Sequence, residues 1–597
     1  MDASLEQMDS FSCCVLPEGV CCAEVARLFS APSSESKVSE QRERFILLPA
    51  DHALLEVWAN LSRDAAASTK HSKRCVFTNA AVAADSLMCS DIGREMLLQG
   101  GSAVDAAIAA LLCTGLVNPQ SMGLGGGAIF TIMDKTGKVK IISSRETVPK
   151  NVTADLLNKC SKIPTFETGS HWIGVPGEIR GYERAHQLYG KLPWAKLFEP
   201  SIKLAREGFP MPVFLYQFLQ KIKLINYSEK LIYSSGLCEL FCHKNKTLFG
   251  PGDILRYPRL AETMETIAKE GADAFYTGKI AKDLIQDVQA RNGTLSLEDL
   301  STFEVRESDA RTVQIGDYKM HFPPPPAGGA ILSFILKLMH EFGLSPASNH
   351  GDQKTLTLHR FLEAVKFANG QKPNLKDPRF NSNTQYITDE KFIQHIRALI
   401  TDDRTHDASY YNITPSVDRF GTTHVSVMAA DGTAVSVTST INHMFGAAVY
   451  SPKTGIILNN ELADFCGRAD KISPGEQPPS SMAPVILQSV SQQKTLVIGG
   501  SGGSMITSAM ALSIMNHLWF GMNLNESIAA KIVFVDGNNN LNFEKGYNKS
   551  LIKAMEALGH KMANFPHFFN VVNGISKEGQ CISAVSDARK HGKSAGY

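Results

Sequence analysis

The chain is short of charge of either sign, of long apolar runs, and of the usual marks of nucleotide or metal chemistry. Its 60 Lys and Arg stand against 59 Asp and Glu, a formal charge of +1. No basic block concentrates that charge, which argues against a broad nucleic-acid footprint. No segment offers the roughly eighteen consecutive apolar residues that a membrane-crossing helix needs. The N-terminus lacks the form of a signal peptide: Met1 to Ser10 is polar and acidic, and Cys13 to Val25 is broken by Pro17, Glu18 and Gly19. No Gly-Lys-Ser/Thr follows the glycine cluster at 499–504, so a phosphate-binding P-loop is not expected there. The adjacent pairs Cys13-Cys14 and Cys21-Cys22 do not have Cys-x-x-Cys zinc spacing, and no cluster of His, Cys, Asp and Glu has the spacing of a metal site. No cofactor and no metal are expected.

What remains is an ordinary globular composition, 43% hydrophobic and 20% charged over 597 residues. That length exceeds one typical domain and is ample for large cores. Eight Asn-x-Ser/Thr sequons, at Asn60, Asn151, Asn226, Asn245, Asn292, Asn412, Asn525 and Asn548, point toward an extracellular life. Residues 1–75 lack sustained periodicity and carry Ser- and charge-rich patches, so they read as a poorly ordered region with free thiols. Beyond Val76, Ala80 to Leu98 and Ser102 to Leu116 read as helices, the second so apolar that it must be buried. Ala128 to Met133 and Val139 to Ser143 read as strands, and the stretch from Gly181 to Ile315 as mainly helical. Phe322 to Gly329, with four prolines, is a rigid turn into an apolar helix from Ala330 to Phe342. Asn374 to Phe420 is polar and turn-rich, as a segment open to cleavage would be.

After Gly421 the chain turns to β-structure. His424 to Ala429 and Thr433 to Thr440 alternate about an Asp431-Gly432 turn. A three-residue loop pairs Thr422 with Thr440, and a two-residue loop shifts the pairing by one. Either register sets Thr440 beside Thr422. A threonine hydroxyl is a poor nucleophile without a neighbouring base. Cutting the chain before Thr422 would supply one, because the freed α-amine has a pKa near ~8 and adjoins its own side chain.

Other segments offer complementary chemistry. Gly499 to Ser504 lies between a strand at Thr495 to Ile498 and a helix at Met505 to Leu518. Its amides suit an oxyanion hole, although a structural turn is an equally natural reading. Gly125 to Gly127 reads instead as a close-packed backbone crossing. Glu461 and Asp464, three residues apart, can face one pocket and hold an ammonium group. Arg145 can clamp a carboxylate, and Ser480 with Ser481 offers two hydroxyls in a rigid turn. Each taken alone is as natural on a solvated surface. His424, two residues from Thr422, reads as structural support for a processed terminus. Cys238 and Cys242 can close a small disulfide loop if the backbone between them is not helical.

Taken in order, Ser121 to Gly127, Arg145 to Pro149, Gly421 to His424, Ser439 to Asn442, Leu458 to Glu461, Pro479 to Met482, Gly499 to Ser504 and Ala595 to Tyr597 resemble the γ-glutamyltransferases, or glutathione hydrolases. The resemblance covers about Val76 to Tyr597. Ala80 to Arg94, Asn118 to Met122 and Tyr450 to Gly455 look most like the family's leukotriene-cleaving branch. The resemblance implies an α/β (α+β) N-terminal-nucleophile hydrolase, a four-layer αββα sandwich. It would be cut into a large subunit, 76–421, and a small subunit, 422–597, which share one fold. Thr422 would be the nucleophile, supported by Thr440, with Gly502 and Gly503 lining the oxyanion hole. Arg145, Ser480 and Ser481 would hold the glutamyl α-carboxylate, and Asn442, Glu461 and Asp464 its α-amine. Disulfides Cys89–Cys113 and Cys238–Cys242 are implied. The implied substrates are glutathione, its conjugates such as leukotriene C4, and acceptor amino acids or dipeptides, at the cell surface or outside the cell.

Two features depart from the family pattern. The usual N-terminal membrane anchor is missing, and Phe465 to Pro479, shorter than the family's active-site lid, carries Cys466. The competing readings are an acylase of the same fold, disfavoured by Arg145, Glu461 and Asp464, and a catalytically silent surface binding protein. Intact Thr422, Thr440 and Gly502-Gly503 disfavour the second.

Overall fold

Two antiparallel sheets lie at the centre of the computed structural model, which describes residues 76–162, 169–224, 229–381, 386–414, 418, 420–563 and 571–597. The expectations for residues 1–75 and for the sequon at Asn226 fall outside the described residues.

The first sheet has seven strands in the order Lys593–Gly596, Ala81–Ala84, Thr423–Met428, Ala434–Thr440, Gly127–Met133, Val139–Ser143, Arg306–Asp309. The second has six, in the order Cys581–Val585, Val571–Glu578, Lys494–Ser501, Val485–Ser489, Tyr318–Phe322, Arg311–Ile315. The small apolar side chains of Ala81, Ala83, Ala434, Val497 and Ile575 pack together as a thin core spanning strands of both sheets. One larger core joins the first sheet to the helices Leu87–Leu98 and Ala103–Val117. Another joins the second sheet to Gly329–His340, Gly351–Gln371 and Ile506–Leu518. Helix, sheet, sheet, helix is the expected four-layer αββα order.

The sequence explains the layering locally. Ser102 caps the Ala103–Val117 helix in a reciprocal box with Asp105, at 2.7 Å and 3.0 Å. That helix is apolar on every side and almost wholly buried, as a central covering helix must be. The Thr423–Met428 and Ala434–Thr440 strands are buried along their full length, since each is covered on both faces. Their register follows the sum of Met428 and Ala434, so the pairing extends Ser439 opposite Thr423 and sets Thr440 opposite Thr422. This is the three-residue-loop alternative.

One expectation needs correction. Ala80 to Leu98 is not one helix: Ala81–Ala84 is a strand between Thr423–Met428 and the C-terminal strand, and the helix begins at Leu87. Three of the strand's four residues are alanines, which favour helix in isolation, but pairing on both sides claims them for the sheet. The stretch from Gly181 to Ile315 is mainly helical, and closes with strands at Arg306–Asp309 and Arg311–Ile315, while the polar region after Asn374 also holds the helix Glu390–Leu399.

Both implied disulfides are present, Cys89–Cys113 and Cys238–Cys242. One helical turn does occupy Cys238–Phe241, but Cys242 leaves it in an extended conformation and the Cα atoms come within 4.9 Å. The six sequon asparagines among the described residues, Asn151, Asn245, Asn292, Asn412, Asn525 and Asn548, are all exposed. Among the described residues no helix is long and apolar enough to cross a membrane.

Candidate active site

Thr422 immediately precedes the Thr423–Met428 strand and lines a cleft of ≈ 210 Å³. Its hydroxyl donates to Thr440 Oγ1 at 3.0 Å, and Thr440 Oγ1 also accepts from the Asn442 backbone N–H at 2.8 Å. Adjacent strands therefore fix both hydroxyls. Thr422 has φ +84°, a left-handed backbone that a β-branched residue rarely adopts. Gly421, just before it, has no room for a side chain: a Cβ there would lie 1.7 Å from the Asn442 carbonyl oxygen. The Gly421 carbonyl oxygen accepts from the Gly502 N–H at 2.9 Å. The Gly421–Thr422 junction is thus strained, pinned, and polarised by the glycine turn.

That turn begins where the Lys494–Ser501 strand ends. Gly502, at φ +118°, and Gly503, at φ +60°, then lead into the Ile506–Leu518 helix. Gly499 to Gly503 also spells Gly-x-Ser-x-Gly. Its Ser501, however, is fully buried, and its Oγ accepts from Lys590 Nζ at 3.1 Å. It is not displayed as a nucleophile. Gly125 to Gly127 is the close backbone crossing expected: a Cβ on Gly126 would meet the Thr440 carbonyl oxygen at 2.0 Å.

Arg145, Thr422, Thr440, Asn442, Glu461, Asp464, Ser480, Ser481 and Gly503 all line the cleft, and Gly502 adjoins it through Gly421. Arg145 is 1% exposed. Its Nη1 meets Glu461 at 2.8 Å and its Nη2 meets Asp464 at 2.6 Å. Its Nε and Nη2 also donate to the carbonyls of Pro478 and Pro479, at 3.0 Å and 2.8 Å. The guanidinium imagined as a clamp for an incoming carboxylate is here engaged by carboxylates of its own chain. Asp464 also accepts from Asn442 Nδ2 at 2.9 Å, and Ser480 Oγ accepts from Met482 N at 3.1 Å.

Several neighbours of these residues were not read from the sequence. Glu146, fully buried, lies 3.8 Å from Arg145, and burial together with the charge of Glu461 holds its carboxyl well above the usual carboxylate range. Three carboxyl groups therefore surround one guanidinium, and Glu146 among them is inclined to keep its proton, an acidic setting suited to a cation. Lys590, from the C-terminal segment, donates to the Thr422 carbonyl at 2.8 Å and to Asp85 at 2.8 Å. Asp85 in turn accepts from Thr423 Oγ1 and from Asn573 Nδ2. Lys590 lies 168 residues from Thr422 and 505 from Asp85, and it sits among charged residues that look like surface. Only the fold brings them together.

His424 is structural, as expected. Burial pushes its pKa down to about 3, and its ring meets Thr438 and Ser426 hydroxyls, each at 2.9 Å. A second buried trio, His359, Glu363 and His560, was not foreseen. Its nitrogens form a closed chain: the Thr401 carbonyl to His359, His359 to His560, and His560 to Lys366, at 2.9, 2.9 and 3.0 Å. The Lys366 ammonium takes up the lone pair that a metal ion would need.

With this geometry in place, the sequence comparisons are specific. The family model described as Gamma-glutamyltranspeptidase matches residues 89–597. The rat protein "Glutathione hydrolase 5 proenzyme" is 46% identical over 88% of this chain and 95% of its own length. The human protein of the same name is 44% identical over 89% and 95%. Among solved structures, cephalosporin acylase from Bacillus halodurans aligns with a TM-score of 0.77 at 21% identity, over 88% of this chain and 97% of its own. That likeness concerns the fold alone.

Proposed function

The chain belongs to the gamma-glutamyltranspeptidase family, and on that premise we propose that it cuts itself before Thr422 and then transfers or hydrolyses γ-glutamyl groups. It is a glutathione hydrolase of γ-glutamyltransferase type. The observation that carries the finer reading is the Thr422–Thr440 hydroxyl pair, 3.0 Å apart in a cleft lined by Arg145, Asn442, Glu461 and Asp464.

In the first step the Thr422 hydroxyl adds to the Gly421 carbonyl carbon, whose oxygen is held by the Gly502 amide. The C–N bond breaks, the nitrogen takes the hydroxyl proton, and water hydrolyses the resulting ester. A large subunit ending at Gly421 and a small one starting at Thr422 remain, within one shared fold. The freed amine then serves as base. Thr422 Oγ attacks the γ-carbonyl of the donor, the amine takes its proton, and Gly502 and Gly503 amides receive the developing oxyanion. The proton passes to the leaving nitrogen, and a γ-glutamyl-threonine ester forms. Water releases glutamate, or the amine of an amino acid or dipeptide accepts the γ-glutamyl group.

The donor's α-ammonium suits Glu461, Asp464 and the Asn442 side-chain carbonyl, and its α-carboxylate suits Arg145, Ser480 and Ser481. Binding would exchange part of Arg145's present pairing for the substrate carboxylate. Glutathione and its conjugates, leukotriene C4 among them, are the proposed donors, encountered at the cell surface or outside the cell. The test is to follow glutamate release from glutathione, and leukotriene D4 formation from leukotriene C4, alongside N-terminal sequencing of the protein. A purified protein that stays uncut and releases no glutamate sinks this reading and leaves the binding-protein alternative.

A further inference from the structure

Downstream of the Gly421–Thr422 junction, residues 465–479 form the lip of the cleft. The far end of this strap is fastened to the upstream half of the chain. Gly475 and Glu476 exchange backbone hydrogen bonds with Val148, at 2.8 and 3.0 Å. The Gln477 amide donates to Asp377 at 2.8 Å, and Asp377 is itself paired with Arg306 at 2.7 Å. The middle is tied more loosely, by half-buried Lys376 to exposed Asp470 at 3.1 Å.

The near end is held differently. Cys466 forms a disulfide with Cys160, 306 residues away, with Cα atoms 5.5 Å apart. The pair packs against a small apolar cluster containing Val148, Leu156, Trp172, Leu462 and Phe465. Cys466 also lines the cleft, two residues after Asp464. One tight turn, Glu461–Phe465, carries both Glu461 and Asp464, and the Cys466 amide closes it onto Ala463 at 3.0 Å. A displacement of Cys466 is therefore passed directly to the carboxylates that meet Arg145.

We propose that the Cys160–Cys466 disulfide joins the two mature subunits covalently and acts as a positioning element of the γ-glutamyl site, holding Asp464 against Arg145 and Asn442. The inference rests on the cut before Thr422, because Cys160 lies upstream of it and Cys466 downstream. Forming the bond removes two electrons and two protons from the thiols. An external disulfide takes them up and becomes two thiols, as in the oxidising compartments that handle glycosylated proteins. Once the backbone is cut, the bond keeps association of the subunits intramolecular at this edge.

Cys581 is disulfide-bonded as well, so gel mobility alone does not report on this bond. The test is instead a tryptic map of the purified wild type, with free thiols alkylated and no reductant. Residues 160–162 are expected linked to residues 454–468, and the linked species should vanish on reduction. Alkylated Cys160 and Cys466 in place of that species overturn the linkage. Cys466→Ser and Cys160→Ser are each expected to raise KM for γ-glutamyl-p-nitroanilide about tenfold with kcat nearly kept, as for one weakened charged contact. Cys466→Ala, which keeps the apolar packing, replaces a serine variant that does not fold. Unchanged KM in the variants overturns the positioning role. A wild type that is uncut, or that ignores the donor, refutes the proposed function instead, and its map still reports on the disulfide.

Discussion

The carbonyl oxygen of Gly421 rests on the backbone N–H of Gly502, 2.9 Å away. The bond that would be cut is thereby polarised by the same turn that would later serve the substrate. One arrangement of amides suits both reactions, because each passes through an oxyanion attached to the carbon that Thr422 Oγ attacks.

Replacing the nucleophile tests that unity. Thr422→Ala is expected to remain a single chain of about 65.1 kDa and to release no glutamate from glutathione, while wild type yields a chain starting at Thr422. N-terminal sequencing and a glutamate assay read both outcomes from one preparation.

Gly421→Ala addresses the junction without touching the nucleophile. A methyl group 1.7 Å from the Asn442 carbonyl oxygen cannot be accommodated, so the Gly421 carbonyl must leave the Gly502 amide. Losing one such donor typically costs about 10²–10³ in rate. Self-cleavage is expected to slow by that order in a time course on denaturing gels. An unchanged circular dichroism spectrum would show that the fold survived.

Asp464→Asn keeps the shape of the side chain and removes its charge. With Arg145 and Asn442 both held by that carboxylate, the expected result is a raised KM for γ-glutamyl donors, by about 10- to 100-fold, from the loss of a charge-assisted contact. Initial-rate kinetics with glutathione would check it. A fall in kcat alone would count against a binding role.

Lys590→Met takes from buried Asp85 the cationic partner that stands 2.8 Å away. Breaking one side of a buried pair costs about 3–5 kcal/mol, so the melting temperature should fall sharply. The double variant Asp85→Asn with Lys590→Met should lose less than the sum of the two single changes, since no buried charge is then stranded.

Glu178 predicts a pH dependence. It is fully buried, accepts from Tyr182 and from Ser439, and burial pushes its pKa from 4.5 up to about 7. The folded protein thus holds a proton that the unfolded chain releases above about pH 4.5. The stability from this group is complete below that pH and is lost as pH rises to about 7, a difference of about 3 kcal/mol. Thermal melts between pH 5 and 7.5 should show this decline in wild type and a smaller one in Glu178→Gln.

Much of this was legible in the sequence. Hairpin spacing predicted that Thr422 and Thr440 would be neighbours, because a strand's period and a turn's length leave little freedom. Motif order pointed to the pocket residues, and the cleft gathers them. What stayed hidden depends on contacts between distant segments. Ala81–Ala84 looks helical until two strands bracket it, Lys590 looks like a surface lysine until Asp85 receives it, and Cys160 has no spacing that announces Cys466. The engagement of Arg145 by Glu461 and Asp464 was equally unreadable, since residue type shows what a side chain can bind and not what already holds it.

The interleaving of strands carries a last consequence. Cut before Thr422, neither piece owns a whole sheet: Ala81–Ala84 lies between Thr423–Met428 and Lys593–Gly596, and Tyr318–Phe322 borders Val485–Ser489. The architecture is assembled while the chain is continuous, and after such a cut each half would lack the edges on which the other templates. The proposed maturation would then act as a ratchet. The lifetime of the cut enzyme would be governed by the height of its unfolding barrier, not by an equilibrium it can revisit.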